Sequence, residues 1–273
     1  MRRSKIKLII TIPLTLFALF YLVGVYIVAS DDRVLEPRTD TSTQPKSIAL
    51  FGGSGTTGDG ILKAALASDE IGEIIVVTRR VTPRMTQGEA QGKVTIIEHL
   101  DYLDYSAMID RLKDIDTVYW AIGITSIGTD RETYRKIHTD FPLQFLTEWR
   151  AVNSTNNQSF HFISSSDISE DSSSMWIQEK IHAEKVLFRF ADETSLKVIA
   201  YRPDYIGPTQ EEAHLGQDIL YWFFRPVGAA IKAREIGQAM IEKTMRNDFQ
   251  NGDKLPTRVL LLLSDAYEKL QSL

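Results

Sequence analysis

The chain opens on an apolar run. Residues 6–29 (IKLIITIPLTLFALFYLVGVYIVA) carry a single charge, Lys7, near the start. At about 1.5 Å per residue, a helix of this length crosses a hydrocarbon core of roughly 30 Å. Core helices of soluble proteins are usually shorter and amphipathic. A cleaved signal peptide is the rival reading. Its apolar region is normally about 7–15 residues long, although Val28-Ala29-Ser30 would tolerate cleavage. The expectation is an uncleaved single-pass anchor over residues 1–30. Arg2, Arg3, Lys5 and Lys7 sit before or at the mouth of the helix, and Asp31 and Asp32 follow it. This bias places the N-terminus in the cytoplasm and the rest of the chain on the far side. Residues 31–46 (DDRVLEPRTDTSTQPK) lack apolar periodicity and contain Pro37 and Pro45, as an extended linker does.

Past residue 46 the pattern changes. Short apolar runs of strand length alternate with segments of helical period. Strands are predicted at 47–51 (SIALF), 73–78 (EIIVVT), 93–98 (KVTIIE), 117–121 (TVYWA), 160–163 and 196–201. Several are apolar throughout, which suits parallel strands buried on both faces. One of the intervening helices is predicted to start at Asp140, with Pro142 in its first turn, where proline is tolerated. The expected fold class is α/β: a doubly wound parallel Rossmann sheet over 47–206, preceded by the transmembrane helix. A small helical region on the substrate side follows over 207–273. Within it a helix is predicted at 234–245, and 260–263 begins or enters another. The aromatic run 219–224 (ILYWFF) admits three readings: core packing, the wall of a hydrophobic substrate pocket, or a segment dipping into the membrane beside the anchor.

The first predicted strand runs into Gly52-Gly53-Ser54-Gly55-Thr56-Thr57-Gly58, and a helical pattern follows. Glycines at 52, 55 and 58 allow a tight turn. They also let backbone N–H groups approach a pyrophosphate at a helix N-terminus. The second strand ends in Thr78-Arg79-Arg80. An NAD site often carries Asp or Glu there for the ribose 2′-OH. Two guanidinium groups suit a 2′-phosphate instead, because arginine binds phosphate bidentately. The expected cofactor is therefore NADP(H). Abundant free NADPH favours a cytoplasmic domain, whereas the flanking charges favour the exoplasmic side; both readings stand.

Composition narrows the chemistry. A chain of 273 residues, 43% hydrophobic and 25% charged, suits one substantial domain plus an extra segment. A net charge of −5 argues against a nucleic-acid partner. With no cysteine, disulfides, thiolate metal sites and cysteine nucleophiles are excluded. No His/Asp/Glu set has metal-ligand spacing, so no metal is expected. No G-x-S-x-G elbow accompanies Ser165, which removes a hydrolase of that kind. Asn153-Ser154-Thr155 and Asn157-Gln158-Ser159 fit the N-glycosylation pattern.

The chain resembles the atypical short-chain dehydrogenase/reductase families, and more narrowly the oxidoreductase family of the human Tat-interacting protein, an NADPH-binding protein. The matching pieces are LFGGSGTTG at 50–58, TRR at 78–80, Asp101, AIG at 121–123, ISSS at 163–166 and YRPDYIGP at 201–208. The resemblance implies that Asp101 and Tyr102 lie near the adenine. It places Ala121 and Gly123 on the ribose side and Pro203 on the nicotinamide side. It also implies a serine after the fifth strand, here Ser165, and a Y-x-x-x-K pair on the next helix. Lys180 stands at the lysine position and Trp176 at the tyrosine position. An indole N–H donates hydrogen bonds but does not titrate in water, so it supplies no general acid. Tyr205, Lys180 and His138 are the candidate substitutes, with Tyr205 read as a packed wall residue and His138 as a satisfied structural histidine. Two functions follow. One is an NADP-dependent oxidoreductase acting on a small-molecule carbonyl or alcohol. The other is a nucleotide-binding module without turnover, such as a redox sensor or membrane-complex assembly factor.

Overall fold

The structure is a computed structural model describing residues 2–39, 44–153, 158–166, 168–208 and 215–272, with main chain alone for 2–11. The apolar run forms one helix, α1 (Arg2–Ala29). Ile12–Ala29 is long and apolar enough to cross a membrane, and no residue of it is buried. Signal sequences pass the same length and composition test.

Six predicted strands appear within two residues of their expected ends: β1 (Lys46–Phe51), β2 (Ile71–Thr78), β3 (Val94–Glu98), β4 (Thr117–Trp120), β5 (Ser159–Ile163) and β6 (Lys197–Arg202). The helices between them are α2 (Thr56–Ala67), α3 (Pro83–Ala90), α4 (Arg131–Arg135), α5 (Phe141–Val152) and α6 (Met175–Thr194). After β6 come β7 (Tyr205–Gly207), α7 (Leu215–Phe224), β8 (Ala230–Lys232), α8 (Ala233–Arg246), β9 (Asp253–Pro256) and α9 (Thr257–Gln271). The main sheet is parallel throughout, in the order β3-β2-β1-β4-β5-β6-β9. Strand order reverses between β1 and β4, the switch point where such sheets bind ligands.

Side-chain alternation along each strand divides the core. Ile48, Leu50, Tyr119 and Tyr201 face α2, α8 and α9. Phe51, Trp120, Phe145, Trp149 and Phe160 build an aromatic layer on the other side. The α2–α8 contact is close because small residues meet there: a Cβ on Gly60 would fall 2.4 Å from the Cβ of Ala233. No local pattern predicts β9. This four-residue strand pairs with β6, and α8 and α9 cover the sheet. Residues after Gly207 thus share both sheet and core with those before it.

Two details depart from expectation. The helix expected at Asp140 begins at Arg131, capped by Asp130, whose carboxylate accepts from the Thr133 N–H at 2.9 Å. It passes through one wide π-turn, Lys136–Asp140, into α5. Pro142 is the reason. It has no N–H, and its ring crowds the carbonyl four residues back, at His138; widening the turn relieves that clash. Residues 31–39, which carry no helix or strand, are held to the domain. Arg38 lies between Glu70 (2.6 Å) and Glu242 (3.0 Å), and Arg258 pairs with Asp31. Asn153 is buried and donates to the Ile115 carbonyl at 2.6 Å, so its amide is no glycan acceptor in the fold. Asn157, Ser154 and Thr155 lie outside the described residues.

Candidate active site

The glycine turn sits at the carboxyl ends of β1 and β4. Gly52 has φ +81°, and a Cβ there would lie 2.6 Å from the Ala121 carbonyl carbon. A Cβ on Gly58 would lie 2.1 Å from the Gly52 oxygen. Only glycine fits either place. Gly55 has looser surroundings, its nearest atom standing 3.6 Å from an added Cβ. The ladder of α2 starts with Asp59 donating to Gly55, so the N–H groups of Thr56, Thr57 and Gly58 precede it. This is an anion cradle at a helix N-terminus.

Two adjoining cavities flank this cradle. The first, about 260 Å³, is lined by Gly52, Ser54, Arg79, Tyr102, Gly123 and Phe141 among others. Arg79 lies over the Tyr102 ring at 5.8 Å, and Tyr102 stacks on Phe141 at 5.4 Å. Burial pushes the Tyr102 phenol up to about 12, so it serves as a neutral wall under the guanidinium. Arg80 lies alongside and donates to the Ser54 carbonyl at 3.3 Å. Both arginines are exposed. Asp101 is at the same edge but turned to its own loop, where it accepts from the Leu103 N–H at 3.0 Å.

The second cavity, about 250 Å³, shares Gly55, Ala121, Ile122, Gly123 and Ile124 with the first and continues to Thr56, Thr57, Ile163, Tyr134, His138 and Lys180. Lys180 is buried, with Nζ 3.3 Å from the Ile163 carbonyl. Burial pulls its ammonium down to about 8, while Glu184 acts in the opposite sense. Trp176 is one helical turn earlier on α6, half-buried. Neither cavity is lined by it.

The serine triplet is divided. Ser164 donates to Glu184 at 2.6 Å, and Ser166 donates to Asp204. Glu184 also accepts from Arg202, and Thr257 donates to Asp204 at 2.6 Å. These bonds tie the end of β6 to α6 and α9. Ser165, half-buried between them, is the member no carboxylate holds among the described residues. Pro203 is buried, and its carbonyl accepts from the Ser166 N–H at 3.2 Å. Tyr205 is packed against α7 and lines neither cavity: its hydroxyl donates to the Gln217 carbonyl at 3.3 Å, and its ring lies 6.1 Å from Phe224.

Sequence reasoning missed Tyr134 and the place of His138 in the cleft wall. The π-turn presents His138 to the cleft, with its ring 4.3 Å from that of Tyr134 and its Cε1 close to Gly123. The ring makes a hydrogen bond with the Ile124 backbone, and its Nε2 is buried with no partner among the described residues. Burial, with Lys180 nearby, pulls the ring down to about 2 and keeps it neutral. Periodicity could have placed Tyr134 on the helix, but not a turn widened by a proline eight residues later.

No protein-family model and no curated protein matches the chain. Solved structures do. A 3-oxoacyl-[acyl-carrier protein] reductase from Brucella melitensis is similar with a TM-score of 0.59 at 15% identity, over 81% of this chain and 98% of that one. An alcohol dehydrogenase from Thermococcus sibiricus, complexed with 5-hydroxy-NADP, gives 0.56 at 17% identity, over 78% and 96%. A UDP-glucuronic acid 4-epimerase from Bacillus cereus, complexed with UDP-glucuronic acid and NAD, gives 0.59 at 15% identity, over 77% of each chain. The fold is that of the short-chain dehydrogenases/reductases. At such identities the likeness carries the fold and nothing finer. Among the described residues no group of three His, Cys, Asp or Glu side chains is placed to hold a metal.

Proposed function

We propose that the chain is a membrane-anchored, NADP(H)-binding oxidoreductase of the short-chain dehydrogenase/reductase kind, acting on a small carbonyl or alcohol. The observation that carries this reading is a pair of adjoining cavities at the switch point, lined by the α2 cradle, Arg79 and Lys180. Gly52 and Gly58 let the turn close tightly on its own backbone, and such a turn presents the first N–H groups of α2 to a pyrophosphate. Arg79 and Arg80 stand where the 2′-phosphate of NADP would lie, Tyr102 beside the adenine, and Ala121 and Gly123 along the ribose. The motif likeness to the Tat-interacting-protein-like oxidoreductases supports the same cofactor.

The nicotinamide supplies or accepts the hydride. The protein must then place a proton on, or take it from, the substrate oxygen. Trp176 stands at the position of the usual tyrosine and does not titrate. Lys180, held near 8 by burial, and the Tyr134 phenol line the same cavity and are the remaining proton sources. Ser165 orients the substrate oxygen. Residues 1–30 anchor the protein as a single pass, and the linker, pinned by Arg38 and Asp31, holds the domain against that anchor.

The Trp176 substitution favours a second reading, a nucleotide-binding module without turnover. Thermal shifts with NADPH, NADP, NADH and NAD, followed by an NADPH-oxidation screen over aldehydes, ketones and quinones, separate the two. Oxidoreductase function requires an NADP(H) shift and turnover that Lys180→Ala or Tyr134→Phe abolishes. An NADP(H) shift with no turnover supports the module, and no nucleotide shift defeats both.

A further inference from the structure

Helix α7 is out of place on a water-facing surface. Leu215, Ile219, Trp222 and Phe223 recur at i, i+4, i+7 and i+8, one apolar stripe. All four are exposed, Trp222 by 70% and Ile219 by 61%. Tyr221, on the opposite side, is buried against the domain, its ring meeting the position of Gly207. The stripe therefore has the domain behind it, and among the described residues only its Phe223 end meets another element.

What lies in front follows from the neighbour of α7, which is α1. Gly228 approaches Val28, Val227 packs on Gly24, and Phe223 stacks on Tyr21 at 5.1 Å and on Phe17 at 6.2 Å. Tyr21 also donates to the Phe223 carbonyl at 2.9 Å. From Gly228 back to Phe223 the chain thus descends alongside α1. Lys7 ends the uncharged stretch, so residues 8–29 span about 33 Å, which only just fills a hydrocarbon core. Tyr21 lies eight residues before Ala29, or about 12 Å inside it. Phe223 must share that depth. The polar side chains of α7, Gln217 and Asp218, lie in its first half, which Tyr205 ties to the domain through the Gln217 carbonyl.

We propose that α7 is a second membrane contact: it enters the lipid surface beside α1, with its aromatic end deepest and its polar half at the headgroups. The proposal rests on the anchor reading above. It also sets orientation. The end of α1 meets Arg258 at the start of α9, just past the carboxyl end of β9, so the sheet edge that carries the cleft faces the bilayer.

The absence of native cysteine makes the test direct. Single-cysteine variants of the full chain, Phe20→Cys, Trp222→Cys and Glu89→Cys, are spin-labelled and reconstituted in phosphatidylcholine–phosphatidylglycerol vesicles. Glu89, exposed near the end of α3, lies at the opposite edge of the sheet. Collision with oxygen, which concentrates in lipid, is compared with collision with a water-soluble nickel chelate. Oxygen should dominate at positions 20 and 222, and the chelate at 89. Oxygen at 20 with the chelate at 222 overturns the proposal and leaves the anchor standing. The chelate at both overturns both. A label at 222 shielded from both agents, as a second copy over α7 would make it, also overturns the proposal.

Discussion

The 2′-phosphate assignment can be tested residue by residue, because the two arginines are placed differently. Arg79 lines the first cavity beside Tyr102, whereas Arg80 reaches back to the Ser54 carbonyl in the glycine turn. A charge-assisted hydrogen bond to a phosphate contributes about 1.5–3 kcal/mol. Arg79→Ala should therefore weaken NADPH by roughly 10- to 150-fold, at about 1.4 kcal/mol per tenfold. NADH, with no phosphate at that position, should change by less than about twofold, within the RT of 0.59 kcal/mol. Arg80→Ala should act on both nucleotides, since it loosens the turn that holds the shared pyrophosphate. Its effect on NADPH should exceed its effect on NADH only by the share of phosphate contact it makes. Isothermal titration or quenching of protein fluorescence reads all four affinities, and thermal melts of the free variants check that the fold survives. Equal weakening of NADPH and NADH by Arg79→Ala, or none at all, would refute the assignment of this cavity to the 2′-phosphate.

Three further outcomes are expected. Trp176→Tyr restores a titratable hydroxyl one turn before Lys180 and should raise NADPH-dependent carbonyl reduction by about 10²-fold, the lower end of general-acid contributions; Trp176→Phe, which opens space without adding an acid, should not. If Lys180 supplies the proton, reduction should fall about tenfold per pH unit above its value near 8, because the protonated form is lost there, and Lys180→Met should erase that limb of the profile. His138 and His161 are both pulled far below an ordinary histidine by burial, to about 2 and about 3. The unfolded chain takes up protons below about pH 6.5 while the folded chain does not, so stability is full above that pH and lost as pH falls. Each ring should steepen acid unfolding by up to about 1.4 kcal/mol per pH unit, and NMR of the imidazoles should find both neutral at pH 5. A ring that titrates near 6 in the folded protein contradicts its burial.

Much of the fold was legible because parallel strands buried on both faces leave uninterrupted apolar runs, and six of those runs became β1 to β6. The glycine turn and the arginines after β2 were legible for a related reason: backbone clearance and charge are written in residue type, and their spacing follows from one strand-turn-helix unit. Other features depend on contacts between distant segments, which no local pattern records. The four residues of β9 become a strand only because β6 offers an open edge and α8 and α9 bring them there. His138 enters the cleft because Pro142 widens a turn whose helix began at Arg131, not at Asp140. The serine triplet reads as three equivalent hydroxyls until Glu184 and Asp204, from other elements, engage two of them and leave Ser165. The aromatic run in α7 shows the limit most clearly. Its composition fits a core, a pocket wall or a membrane surface. The choice rests on which neighbour it meets, and that neighbour, α1, is about two hundred residues away in the chain but in direct contact at Tyr21 and Phe223.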